Sequence, residues 1–194
     1  ESTDSLLLDT MILYGNDMAS ENSFSEAIDW YDSALSSNPD KSVLHPTNLR
    51  ALFSKGVALF QNGDIVGAGH ALGNILDEVD KNPAPPPSGI APVLNAIGSI
   101  YFLHKDFAGA IERFNESLSC TNGSLSPCQR AGTLCNIGSA YYKIQNYEES
   151  EKYFSEALMA TESLGETSLD IKAIIMCKLA YILYRRKHYL RAHD

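Results

Sequence analysis

Long apolar runs are missing from this sequence. The longest, such as "LLL" at 6–8 and "AIIM" at 173–176, fall far short of the ~20 residues that a bilayer-spanning helix needs, so membrane insertion is excluded. The opening "ESTDS" lacks the basic start and apolar core of a secretory signal, and a chain that begins without methionine is expected to be excised from something longer. Basic residues are scarce. Fifteen Lys and Arg stand against 24 Asp and Glu, giving a net charge of −9 and a pI near 5.0. This balance argues against nucleic acid, whose phosphates are gripped by clustered cations. The one dense basic run, "YRRKHYLRAH" at 184–193, reads as a helix end complemented by cations.

Cysteine is sparse as well. Cys120, Cys128, Cys135 and Cys177 form no CxxC pair and have no histidine at ligand spacing, so no structural zinc and no other metal is expected. A reducing, cytoplasmic setting fits them best. Cys120 and Cys128 flank one loop and are able to pair in an oxidising setting, whereas Cys135 and Cys177 read as small buried apolar residues. Two glycosylation sequons, at Asn115 and Asn122, are too short to weigh.

Catalytic signatures are absent too. His45, His70, His104, His188 and His193 fall in loops or on unlike faces, and no HExxH, GxSxG or strand-to-helix glycine loop occurs. The glycines at 63, 67, 69 and 73 lack the Lys-Ser/Thr ending of a phosphate cradle. The expectation is a protein that is not an enzyme and uses no cofactor.

What the sequence does contain is a repeat. "VLNAIGSIYFLHKDFAGAIERFNESL" (93–118) finds a partner in "TLCNIGSAYYKIQNYEESEKYFSEAL" (133–158), with Gly98, Tyr101, Phe107 and Phe114 mapping to Gly138, Tyr141, Tyr147 and Phe154. Two further copies centre on Gly15 and Gly56, and a fifth begins with Ala180 in the glycine place, followed by Tyr189 and Ala192. The small residue recurs at steps of 41, 42, 40 and 42, while the gap to the next anchor (Phe24, Ile65, Phe107, Tyr147, Tyr189) is always nine. Fixed geometry therefore lies inside each unit, and the Pro-, Gly-, Asn- and Ser-containing loops at 36–46, 81–89, 120–127 and 163–169 absorb the variation. An interior glycine costs a helix roughly 1 kcal/mol against alanine. Its recurrence, with that of an alanine in the second helix, implies that the two backbones approach closely, with aromatics at neighbouring turns filling the space beside the crossing.

A small residue, an aromatic or apolar residue three and nine later, alanine twelve later and an aromatic sixteen later resembles the tetratricopeptide repeat, which folds as antiparallel helix pairs A and B. The period exceeds the family's usual ~34 residues and is similar to that of kinesin light chains and spindle-orientation scaffolds. The resemblance implies an all-α, right-handed α-solenoid forming a single array over 1–194, with repeats at about 4–40, 45–82, 88–120, 127–164 and a partial fifth at 168–194. Departures are Lys55 at a core leucine place, Ser150 at a helix B alanine place, and Met11, Leu52, Leu94, Leu134 and Met176 at the tryptophan place.

Such arrays present a groove lined mainly by the first helix of each pair. The family's groove-facing places fall here on Asp9, Ile12, Asn16 and Ala19; Arg50, Phe53, Val57 and Phe60; Pro92, Asn95, Ser99 and Phe102; Gly132, Cys135, Ser139 and Tyr142; Ile174, Cys177, Tyr181 and Tyr184. Only Asp9 and Arg50 are charged, and Phe60, Phe102, Tyr142 and Tyr184 form a row that reads either as a ladder for a partner's apolar side chains or as rings buried against neighbouring helices. Asn16, Asn95, Ser99, Asn136 and Ser139 can bond a peptide main chain. The family's chaperone-tail clamp is absent, because its places hold Ile12, Asn16, Pro92 and Ala96.

The resulting expectation is a cytoplasmic scaffold or adaptor that takes a peptide or helix of a partner protein. The alternative is an architectural subunit that assembles through its helix B faces or self-associates through its C-terminal repeat.

Overall fold

The computed structural model describes residues 3–81, 90–120, 125–162 and 169–193. The loop readings at 82–89, 121–124 and 163–168, the sequon at Asn122, and the anchoring roles given to the Tyr189 and Ala192 side chains lie outside what is described. The described residues are all-α and fall into two compact units, 1–89 and 90–194. The first holds α1 (Thr3–Ser20), α2 (Phe24–Ser37), α3 (Pro46–Gln61) and α4 (Ile65–Lys81). The second holds α5 (Ile90–Leu103), α6 (Phe107–Ser119), α7 (Pro127–Lys143), α8 (Tyr147–Ala160) and α9 (Leu169–His193).

Each of the first four repeats turns from helix A to helix B through the same motif. The residue seven after the glycine (Asn22, Gly63, Lys105, Gln145) has φ between 62° and 87°, the left-handed conformation that ends a helix. The next amide reaches back five residues: Ser23 N to Met18 O at 2.9 Å, Asp64 N to Leu59 O at 2.9 Å, Asp106 N to Tyr101 O at 3.0 Å, and Asn146 N to Tyr141 O at 3.0 Å. Asp64, Asp106 and Asn146 also accept from the third amide of the following helix, at 2.8, 3.0 and 3.2 Å, which satisfies an orphan donor at its start. One residue in the left-handed region followed by one capping residue explains the invariant gap of nine.

The fifth repeat departs from this pattern. A turn and a helix B beginning near Tyr189 are expected there, but α9 runs unbroken through the turn position. The difference lies beside the turn place: Lys187 matches Lys105 of the third repeat, but His188 stands where the other repeats carry Ser, Asp or Asn, and the run Arg185, Arg186 and Lys187 favours helix. Without a Ser, Asp or Asn there to open a second helix, α9 continues.

Inside each unit the recurrent glycine faces the large side chain sixteen residues on. A methyl group built on Gly15 would lie 2.5 Å from Tyr31 Cε1, on Gly56 2.6 Å from Leu72, on Gly98 2.6 Å from Phe114, and on Gly138 2.9 Å from Phe154. Tyr31, Leu72, Phe114 and Phe154 are all buried. The glycine thus makes room for a ring or a leucine of helix B. The helix B alanines Ala27, Ala68 and Ala110 are fully buried beside them. Ser150, at the equivalent place in the fourth repeat, is also fully buried and donates its hydroxyl to Gly138 O at 2.7 Å, so this departure adds a bond between the helices. Lys55 avoids burying its charge by reaching Asp32 Oδ1 on α2 at 2.6 Å.

Candidate functional site

The candidate surface is the outward side of the first helices in each unit. In the first unit, Arg50 on α3 donates to Asp9 Oδ1 on α1 at 2.8 Å. The two charged groove places thus pair with each other at a separation of 41 residues. Asn16 is exposed and accepts at Oδ1 from the Tyr31 hydroxyl at 2.9 Å, and burial pushes that hydroxyl's pKa up while a bond with Ser54 opposes the shift. Phe53 and Phe60 are half-buried on α3. Ile12 does not belong to this surface: it is 1% exposed and packs with Ala27, Tyr31 and Ala51, because an apolar side chain at that register is drawn into the core beneath α1.

In the second unit, side chains of successive first helices meet in pairs. Asn136 Nδ2 on α7 donates to Asn95 Oδ1 on α5 at 3.3 Å. Lys178 Nζ on α9 donates to Ser139 Oγ on α7 at 3.3 Å. The Tyr142 hydroxyl on α7 donates to the Tyr181 hydroxyl on α9 at 3.3 Å. The Tyr142 ring lies 5.8 Å from those of both Tyr181 and Tyr147. The bond to Tyr181 raises the Tyr142 phenol pKa, with desolvation adding to it. Ser99 and Ser139 donate to carbonyls of their own helices, those of Asn95 and Cys135, at 3.0 and 2.8 Å. Those hydroxyls remain available as acceptors, the role Ser139 plays toward Lys178.

The aromatic row does not act as one uniform set. Phe102 is half-buried, packs edge-on against Phe107 at 5.3 Å and lies against the core formed by Ala110, Phe114 and Ile137. Tyr142 partners Tyr181, and Tyr184 is 59% exposed. Cys135 is half-buried, and desolvation pushes its thiol up to about 11, opposed by the Lys178 charge. Cys177, expected to be buried, is exposed, because α9 turns Ile175 and Ile182 inward and leaves that side chain on the opposite side. All four cysteines are free thiols.

Lys178 and Arg185 were not among the expected site residues. Lys178 shares the register place of Asn136, one past the family's groove place, and that equivalence was its only signal. Arg185 bonds the Tyr147 side chain and sits in the field of Tyr142 and Tyr181, which together raise its pKa. No cluster of three His, Cys, Asp or Glu able to hold a metal occurs among the described residues, and no helix there is long and apolar enough to cross a membrane.

Sequence models of the tetratricopeptide repeat match residues 20–83 and 129–194. No curated protein sequence is matched. Among solved structures, the fold is similar to that of pilF from Pseudomonas aeruginosa, with a TM-score of 0.73, 19% identity, 99% of this chain and 74% of that chain. It is also similar to a Podosopora anserina putative kinesin light chain with nearly identical TPR-like repeats (TM-score 0.74, 13% identity, 96% and 90% covered). BtubC (BKLC) from P. vanneervenii is a third such structure (TM-score 0.71, 16% identity, 86% and 67% covered).

Proposed function

Because this chain belongs to the tetratricopeptide repeat family, whose solenoid surfaces serve protein–protein interaction in general, we propose that it is a non-catalytic scaffold whose first-helix faces bind an extended or helical segment of a partner protein. The observation that supports this reading most is the set of paired side chains spanning neighbouring first helices of the second unit: Asn95 with Asn136, Ser139 with Lys178, and Tyr142 with Tyr181. Amides that bond only one another at 3.3 Å, and are half-exposed, retain donors and acceptors for a peptide backbone. The half-exposed rings beside them offer apolar contact.

In this reading the five repeats serve as one interaction array over 1–194, with Asn16, Arg50, Phe53 and Phe60 as the first unit's stretch of the surface. Ser99, Phe102, Tyr181 and Tyr184 complete the second unit's stretch. A cytoplasmic setting belongs to the same proposal and is supported by the four free thiols.

The test is capture of partners from native lysate by the wild-type chain and by Asn95→Ala/Asn136→Ala/Tyr142→Ala, with circular dichroism confirming the fold. These positions suit the test because none is fully buried, whereas Phe102 also supports the core. Specific partners retained at full yield by a folded triple variant reject the surface.

A second reading is an architectural subunit that self-associates through the fifth repeat. It draws support from the exposure of Ile174, Met176, Leu183 and Tyr184 on α9, between 46% and 59%. A sedimentation coefficient independent of concentration rejects it.

A further inference from the structure

In the second unit, charge is divided between the two sets of helices. The first helices α5, α7 and α9 carry eight Lys and Arg and one acid, Asp170, whereas α6 and α8 carry six Glu and two cations, Arg113 and Lys152. The chain as a whole has a net charge of −9, so a basic set of first helices runs against its composition.

Most of the nearby cations are neutralised at once. Arg113 pairs with Glu112 and Glu116, Lys152 with Glu149, and Arg186 on α9 with Glu151 on α8. Lys178 and Arg185 are different. Both are exposed, and neither forms an ion pair among the described residues. Lys178 Nζ reaches only a hydroxyl, Ser139 Oγ on α7 at 3.3 Å, and Arg185 bonds the Tyr147 side chain in the field of Tyr142 and Tyr181.

These contacts leave donors to spare. An ammonium has three N–H groups and a guanidinium five, so one bond apiece uses a minority of them. The Tyr181 hydroxyl accepts from Tyr142 and keeps its own proton to donate. Lys178, Tyr181 and Arg185 stand at i, i+3 and i+7, on one face of α9, which spreads their donors over about 10 Å of the helix. Cations and donors without acids in reach suit an anionic ligand. Their places also differ from those of the chaperone-tail clamp, which hold Ile12, Asn16, Pro92 and Ala96.

Resting on the groove reading proposed above, we infer that the second unit's stretch of the groove selects an acidic segment of the partner protein. Two carboxylates of that segment, about 10 Å apart, accept from Lys178 and Arg185, and the Tyr181 hydroxyl donates between them. A free terminal carboxylate is not required.

An acidic protein repels acidic peptides in general, so their selection by this one has the opposite sign to non-specific attraction. The probe is a display library of short random peptides fused at their C-termini, so that none offers a free terminal carboxylate. Selection on the intact chain is expected to enrich Asp and Glu, and selection on Lys178→Gln/Arg185→Gln to lose that enrichment. A selected acidic peptide, synthesised with an amidated end, is expected to bind the double variant about tenfold more weakly than wild type. Selected peptides with no excess of Asp and Glu, or an acidic peptide bound equally by both proteins, overturn the inference. Asn95→Ala/Asn136→Ala/Tyr142→Ala separates that failure from failure of the groove itself. Non-acidic peptides that this variant no longer binds overturn the charge assignment alone, whereas peptides that it binds at full strength overturn the groove reading as well.

Discussion

Gly98 on α5 and Phe114 on α6 are in such close contact that a methyl group on the glycine would lie 2.6 Å from Cδ1 and Cε1 of the ring. Phe114 is 1% exposed and packs in the core of the second unit, so it has little space into which to retreat. Gly98→Ala is therefore expected to destabilise by about 1–3 kcal/mol through overpacking, although alanine is the better helix former by ~1 kcal/mol. Gly69 and Gly73 on α4 provide the control, since a methyl there meets nothing within 4 Å. Gly69→Ala is expected to stabilise by up to about 1 kcal/mol. Urea denaturation of the three proteins checks both signs, and a Gly98→Ala protein more stable than wild type contradicts the packing account.

Ser150 shows how a departure from the repeat pattern is accommodated. Its hydroxyl bonds Gly138 O across the α7–α8 pair, where the other repeats bury alanine. Ser150→Ala is expected to cost about 0.5–1.5 kcal/mol and Ser150→Val more, because the site is fully buried. The same denaturation assay reads the difference. Equal stability of the alanine variant and wild type would show that the bond contributes nothing.

Much of this was legible in the sequence because it depends on spacing. The glycine-to-Phe114 offset, the gap of nine and the near-constant period each follow from one helix pair repeated, and α1 to α8 form accordingly. The partner of each glycine was legible only in part: close approach with aromatics beside the crossing was expected, and the structure sets the side chain sixteen residues on directly against the glycine. Alanines mark a close approach without identifying which atom makes it. The length of α9 was misread because Ala180, Tyr189 and Ala192 kept the anchor spacing, while His188 replaced the Ser, Asp or Asn that opens the second helix in the other repeats. Anchors record which residues face a core, and caps record where a helix ends.

The turn itself can be tested. Lys187→Gly/His188→Asp installs the left-handed residue and the cap found in the second repeat as Gly63 and Asp64. It is expected to end α9 near residue 185, lowering amide protection at 187–190 in hydrogen exchange. Unchanged protection there would mean that the cap does not decide the boundary.

Cysteine reactivity follows from burial. Cys128 and Cys177 are exposed, while the Cys135 thiol is held at about 11 by desolvation. Iodoacetamide at mildly alkaline pH is expected to label Cys128 and Cys177 first and Cys135 last, as read by mass spectrometry. The sign of the stability effect follows from the same shift. The unfolded thiol ionises near 9 and the folded one near 11, so the Cys135 contribution to stability is complete below pH 9 and is lost as pH rises toward 11. Cys135→Ala removes that part of the alkaline slope.

Site-specific photo-crosslinking tests the groove most directly. A photoreactive residue at Ser139, on the first-helix face of α7, is expected to capture the partner polypeptide from lysate, and one at Glu148, exposed on α8, to capture none. Capture from position 148 with none from 139 would contradict the account.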